Sequence, residues 1–143
     1  MDISIIIFLL GGLFLGWSLG ANDAANVFGT AVGTRMVRFK TAAIVCSIFV
    51  ILGAIISGAG TTETLGKLGA INALPGAFAA CVAAGLSVYL MTKVGFPVST
   101  TQAIVGAIVG WNLYTGSATN IKVLITILGT WVLCPVIAGL IAM

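Results

Sequence analysis

Four apolar runs divide the chain, at residues 3–21, 41–59, 71–92 and from 123 to the C-terminus. A fifth, at 94–114, is broken near its start by Gly95, Pro97 and the run Ser99-Thr100-Thr101-Gln102. A helix needs about 20 predominantly apolar residues to cross the hydrocarbon of a bilayer. The pattern therefore predicts four transmembrane helices and one interrupted segment, with the basic residues and Glu63 confined to the links: Arg35, Arg38 and Lys40, then Glu63 and Lys67 in a polar turn, then Lys93, then Lys122. The first run is read as a helix rather than a cleaved leader, because Asp2 precedes it and no Lys or Arg does.

Beyond Ala21 the chain stays weakly apolar as far as Arg35, with Asn22, Asp23, Asn26, Thr30 and Thr34 in it. A single helix over 3–34 would be about 48 Å long at about 1.5 Å per residue, against a hydrocarbon core of about 30 Å. The polar residues in its second half predict a break there. Such breaks are tolerated at membrane depth where the freed backbone is buried in protein or lines a polar site.

Composition narrows the class. The chain of 143 residues is 60% hydrophobic and 6% charged, with a mean hydropathy of +1.25, whereas a soluble domain carries charge on about a quarter of its residues. The net charge of +3 marks cytoplasmic loops rather than a nucleic-acid partner. With Arg35–Lys40 in the cytoplasm, a re-entrant hairpin over 94–119 puts Lys93 and Lys122 there too. Cys46, Cys81 and Cys134 lie in apolar runs and histidine is absent, so no zinc, haem or iron–sulfur ligand set is present and no cofactor is expected. No nucleophile–base pair suggests an enzyme. Glycines four apart, at 12, 16 and 20, at 29 and 33, and at 106 and 110, predict close helix contacts. The expected architecture is an all-α, multi-pass bundle in the cell membrane. It is one transmembrane domain over 1–143, with a broken first helix and a re-entrant helical hairpin.

Two clusters carry candidate chemistry. Asp23 inside a membrane segment costs about 2.5–3.5 kcal/mol on insertion scales, and such residues mark transport paths. Asn22, Asp23, Asn26, Thr30 and Thr34 recur at three- and four-residue steps, which places them along one helical stripe. The competing reading is an interfacial cap ending the first helix. In the second cluster, Pro97 and the hydroxyls of Ser99, Thr100 and Thr101 precede an apolar run, a helix-start signal. The unpaired N–H groups of a helix start suit an anion, and ordinary capping explains the same residues equally well.

At these clusters the chain resembles the inorganic phosphate transporter family, the sodium- or proton-coupled phosphate permeases. Gly20-Ala21-Asn22-Asp23-Ala24-Ala25-Asn26 is similar to the signature G-A-N-D-x-A-N, and Phe28 to Gly33 continues it. Pro97 to Gly106 is similar to P-V-S-T-T-H-A-I-V-G, with Gln102 where histidine is frequent. Glu63-Thr64-Leu65 resembles a weaker E-T-I-x-x-G piece, and Trp131 to Pro135 resembles W-x-x-S-P with Cys134 in place of serine. The family has two such halves in inverted repeat. One motif set is present here, so the chain resembles the first half of a transporter.

The resemblance implies phosphate as substrate. Phosphate beside Asp23 is repelled unless a cation or a proton intervenes, and neither motif contains Lys or Arg. The implied cation site (Na⁺, or H⁺ on the carboxylate) is Asp23 with Asn22, Asn26 and unwound backbone. The implied phosphate site is Ser99, Thr100, Thr101 and Gln102, with Glu63 and Thr30 as accessory residues. The expected partners are phosphate, the coupling cation, the lipid bilayer and either a second copy of the chain or a separate second half. The topology, with four crossings and one hairpin, leaves both termini on one side, whereas an inverted repeat needs an odd number of crossings. The chain therefore either stops one helix short of a full repeat or crosses the membrane over 94–119. The alternative is a non-transporting membrane subunit or a truncated remnant of such a permease.

Overall fold

A computed structural model describes residues 3–69 and 74–143. Its five helices are α1 (Ile3–Gly33), α2 (Phe39–Leu68), α3 (Leu74–Val94), α4 (Thr100–Thr115) and α5 (Ile121–Ala142). Four of them, α1, α2, α3 and α5, are long and apolar enough to cross a membrane. Large apolar side chains on every one of these helices are exposed, among them Leu13, Phe49, Ile55, Leu90 and Ile141. They need lipid or protein around them. The expected start of the third run at 71, like Asp2, falls outside the described residues.

The first helix is not broken. α1 runs for 31 residues without interruption, and the polar residues in its second half do not unwind it. No proline interrupts it, and Asn22, the most buried of them, is satisfied sideways by the rest of the bundle. The irregular backbone lies instead between α3 and α4, where Gly95 adopts a positive φ of 84° and residues 96–99 are outside any helix. The predicted polar turn at 61–64 is likewise helical. It forms the last turns of α2, where Lys67 pairs with Glu63 four residues earlier.

α1 and α3 run in the same direction, side by side. Phe14 and Leu15 lie against Gly85, Phe78 against Gly11, Trp17 against Tyr89 at 5.5 Å between ring centroids, and Asn22 against Thr92. α4 then returns along α3, since Trp111 near its end sits on Gly76 near the start of α3. The hairpin thus consists of two helical arms, α3 and α4, joined by the turn at 95–99. It is not a loop folded within 94–119. Its base is closed by a bridge between Gly69 and Thr119 and by Asn120 N–H donating to the Leu68 carbonyl at 2.9 Å. Lys93 consequently lies at the turn, while Lys122 lies at the base beside Lys67. The expectation that Lys93 and Lys122 share one end of the hairpin fails, because 100–115 continues as one helix until Gly116, in the left-handed region, caps it.

A buried apolar cluster forms where α2, α3, α4 and α5 meet. Leu68, Ala80, Val105 and Ile108 are buried together, with Leu65, Val123, Ile127 and Trp131 against them. The glycines that permit close approach are not the regularly spaced ones. A Cβ at Gly85 would lie 2.8 Å from the Phe14 ring and 3.3 Å from the Leu15 backbone, whereas one at Gly12, Gly16, Gly20, Gly29, Gly33, Gly106 or Gly110 would meet nothing within 4 Å. Gly85→Leu should therefore force α1 and α3 apart and destabilise the protein by about 1–3 kcal/mol. Gly53→Leu, where a Cβ has open space, should be near neutral. Thermal unfolding in detergent checks the pair, and equal midpoints would contradict the packing described.

Candidate functional site

The two polar clusters meet at the hairpin turn. The Asn22 amide uses both of its hydrogens: Nδ2 donates to the Val98 carbonyl at 2.7 Å and to Asp23 Oδ1 at 2.8 Å. Its oxygen accepts from the Thr92 hydroxyl at 3.4 Å. Asn22 is only 3% exposed. It clamps α1 to the end of α3 and to the extended strand of the turn, a linkage of residues 76 positions apart. Thr100, 7% exposed, donates to the same Asp23 oxygen at 3.4 Å. Both bonds to Asp23 fall on Oδ1. Oδ2 has no hydrogen-bond partner among the described residues, and the side chain is half-buried.

Pro97 explains why this turn is built here. Proline disfavours helical backbone at the residue before it, so the chain leaves α3 extended, and Ser99 restarts the helix as N-cap by accepting from the Gln102 N–H at 3.3 Å. The N–H groups of Thr100 and Thr101 open α4 and by position have no intrahelical acceptor. The positive end of the helix dipole therefore lies beside a carboxylate. Among the described residues the ion pair present joins Lys67 to Glu63. The cation nearest in sequence to the turn, Lys93, lies over the Tyr89 ring at 5.5 Å from its centroid.

The predicted residues divide into two groups. Asn22, Asp23 and Thr100 come together, with Ser99 adjacent as the cap. Asn26 and Thr30 are exposed further along α1, and Thr101 and Gln102 are exposed on α4. Thr101 turns away from Asp23 into a separate groove with Ser57, Thr61 and Thr64. Glu63 sits outside the site, bound to Lys67. The unwound backbone expected in α1 is supplied instead by the Val98 carbonyl. Sequence reasoning missed Thr92, whose contact with Asn22 is long-range and leaves no periodic trace. It also missed Ser18, which lies one turn before Asn22 on the same face. Ser18 is 1% exposed, and its hydroxyl has no partner among the described residues.

Asn22→Ala should leave the Val98 carbonyl without its donor, at a cost of about 1–3 kcal/mol. Its local signature should be faster amide hydrogen exchange across 95–102. Unchanged exchange there would show that Asn22 does not hold the turn.

A long-helix, multi-pass membrane protein with a polar site at a hairpin turn is the class that these features define. Comparison with known sequences narrows it. The chain matches the phosphate transporter family over residues 19–143, a range containing both clusters, and it belongs to that family. It is 34% identical to a protein named as a proposed phosphate permease in Pyrococcus furiosus, over 99% of this chain and 37% of that one. Proteins named likewise from Chlamydia pneumoniae (36% identical, 96% and 35% covered) and Haemophilus influenzae (35% identical, 92% and 34% covered) are similar to it. The chain spans little more than a third of the length of these curated relatives. No solved structure matches it.

Proposed function

We propose that the chain is one repeat of a cation-coupled phosphate permease, with the hairpin turn as its substrate site. The observation that carries this reading is the Asp23 carboxylate bonded to Thr100 at the opening of α4, with no ion pair to a basic residue among the described residues. The helix start favours an anion, and the carboxylate repels one. Two unit charges about 4 Å apart interact by about 4 kcal/mol at an effective dielectric of 20, enough to decide occupancy. A cation on Asp23 Oδ2, supported by the oxygens of Asn22 and Thr92, removes the repulsion. A proton on the carboxylate does the same. Either makes anion binding depend on the cation, which is the thermodynamic basis of symport. Phosphate as the anion is supported by family membership and by the names of the relatives.

The site is unfinished within one chain. Asn26, Ser99 and Gln102 are exposed, which suits residues that a second half covers, supplied by another copy or by a separate chain. The test is uptake of radiolabelled phosphate into proteoliposomes under a sodium gradient, a proton gradient or neither. Uptake that requires one of the gradients is expected. Equal uptake without a cation gradient would overturn the coupling.

A further inference from the structure

On the side of α4 away from Asp23, a groove runs between α2, α4 and α5. One part, an open hollow of about 370 Å³, is lined by Ser57, Thr61, Thr64 and Thr101 together with the apolar Leu65, Val105 and Ile127. The other part, about 270 Å³, is lined by Lys67, Lys122 and Thr126. Thr64 and Ile127 line both, so the two adjoin along the open face between the hairpin base and Thr101. The α2 hydroxyls that line the groove fall at positions 57, 61 and 64, which is one face of a helix. Lys67 continues that row by three residues. Lys122 stands in the first turn of α5, whose N-cap Asn120 accepts from the Val123 N–H at 3.3 Å.

The six basic residues of the chain are otherwise grouped by sequence or alone: Arg35, Arg38 and Lys40 lie around the α1–α2 link, and Lys93 lies at the turn. Lys67 and Lys122 come from the ends of two different helices, and folding places them at one opening. Glu63 holds Lys67 from the preceding turn, so the three groups together carry one net positive charge.

We propose that this opening is a second site for a phosphate group, and that the hydroxyl-lined groove leads the anion from it to the hairpin turn. Two ammonium groups and the start of α5 attract a phosphate electrostatically. The hydroxyls of Thr61 and Ser57 then offer donors without fixed charge, so the anion is not trapped on its way to Thr101 and Thr100. Those of Thr64 and Thr126 are donated to the Gly60 and Lys122 carbonyls. The leading role rests on the transport reading above, whereas binding at the opening does not. The same chemistry admits two sources of the phosphate group, free inorganic phosphate and the headgroup of an anionic lipid.

The test is binding of radiolabelled inorganic phosphate to the full chain in nanodiscs of neutral phosphatidylcholine at low salt. The double variant Lys67→Gln/Lys122→Gln should weaken binding about tenfold, in the range of electrostatic attraction into charged clefts. Lys67→Arg/Lys122→Arg should retain it, and Glu63→Gln should strengthen it. Wild-type binding by the double Gln variant, in neutral discs and with no change in retained lipid, overturns the site. Thr61→Val, halfway along the groove, should slow phosphate uptake while leaving binding intact, and unchanged uptake overturns the leading role. Failure of the transport reading looks different: Thr100→Val then binds as wild type while the double Gln variant still loses affinity. The lipid source is read by native mass spectrometry from bilayers containing phosphatidylglycerol. Retained phosphatidylglycerol that the double Gln variant loses, with phosphate binding untouched by the same change, assigns the opening to a lipid headgroup and overturns the groove as a phosphate path.

Discussion

Asp23→Asn should lower cation-driven phosphate uptake by on the order of a hundredfold, a change equivalent to about 2.8 kcal/mol, while the protein inserts and folds normally. The substitution is nearly isosteric. The introduced amide's carbonyl oxygen can still accept from Asn22 and from Thr100, the two bonds that Asp23 Oδ1 makes, so the turn keeps its position. What disappears is the charge, and with it the reason for a cation to bind. The variant also separates the two coupling ions. If sodium is the partner, the variant loses the ion and phosphate uptake falls with it. If a proton is the partner, the amide imitates the neutral carboxyl, and phosphate binds at all pH values without being driven. Uptake by Asp23→Asn equal to that of the wild type would remove Asp23 from the mechanism.

The sequence located both halves of this site and misjudged how they are joined. Asn22 and Asp23 stood out because a carboxylate inside an apolar run is costly, and Ser99–Thr101 stood out because Pro97 and hydroxyls open a helix. Both signals are local. That Thr100 meets Asp23 while its neighbour Thr101 faces Ser57 and Thr61 follows from the rotation of α4 about its axis, which depends on packing against α3 at Gly76 and is set far from the site. The expected break in α1 failed for a related reason. Polar residues in an apolar helix demand partners, and the sequence could not show that the partner of Asn22 is the Val98 carbonyl of another segment. Placing Lys93 and Lys122 together failed because the positive-inside rule counts charges per link. The connection between α4 and α5 folds back onto Leu68, at the opposite end of the hairpin from Lys93. The spaced glycines misled in a useful way. They do not pack within the chain, and Gly12, Gly16 and Gly20 share an exposed face of α1 with Asn26 and Thr30.

That face motivates the second large effect: dispersed single chains should show no cation-driven phosphate uptake, and uptake should appear only when two repeats associate. Within one chain the exposed stripe of α1 carries three glycines, at 12, 16 and 20, and two polar side chains, at 26 and 30, all on one face of the helix. Against lipid it would leave polar groups without partners, which is unfavourable in hydrocarbon. Against another helix it allows backbones to approach closely and side-chain amides and hydroxyls to bond across. Repeat-built transporters place their sites near the midplane at the junction of repeats, and Asp23 is only half-buried, with Asn26 exposed one turn further along α1 and Ser99 exposed next to Thr100. The chain also spans only 37% of a relative of the same family, so a full-length protein has room for the second repeat. Purified chain in mild detergent should accordingly run as a dimer or larger assembly. Gly16→Leu should dissociate it and reduce uptake to background, while the Gly53→Leu control leaves both unchanged. Vesicles loaded so sparsely that each holds at most one chain should be inactive. Sodium- or proton-driven uptake at the wild-type rate per chain from such vesicles would show that one repeat suffices.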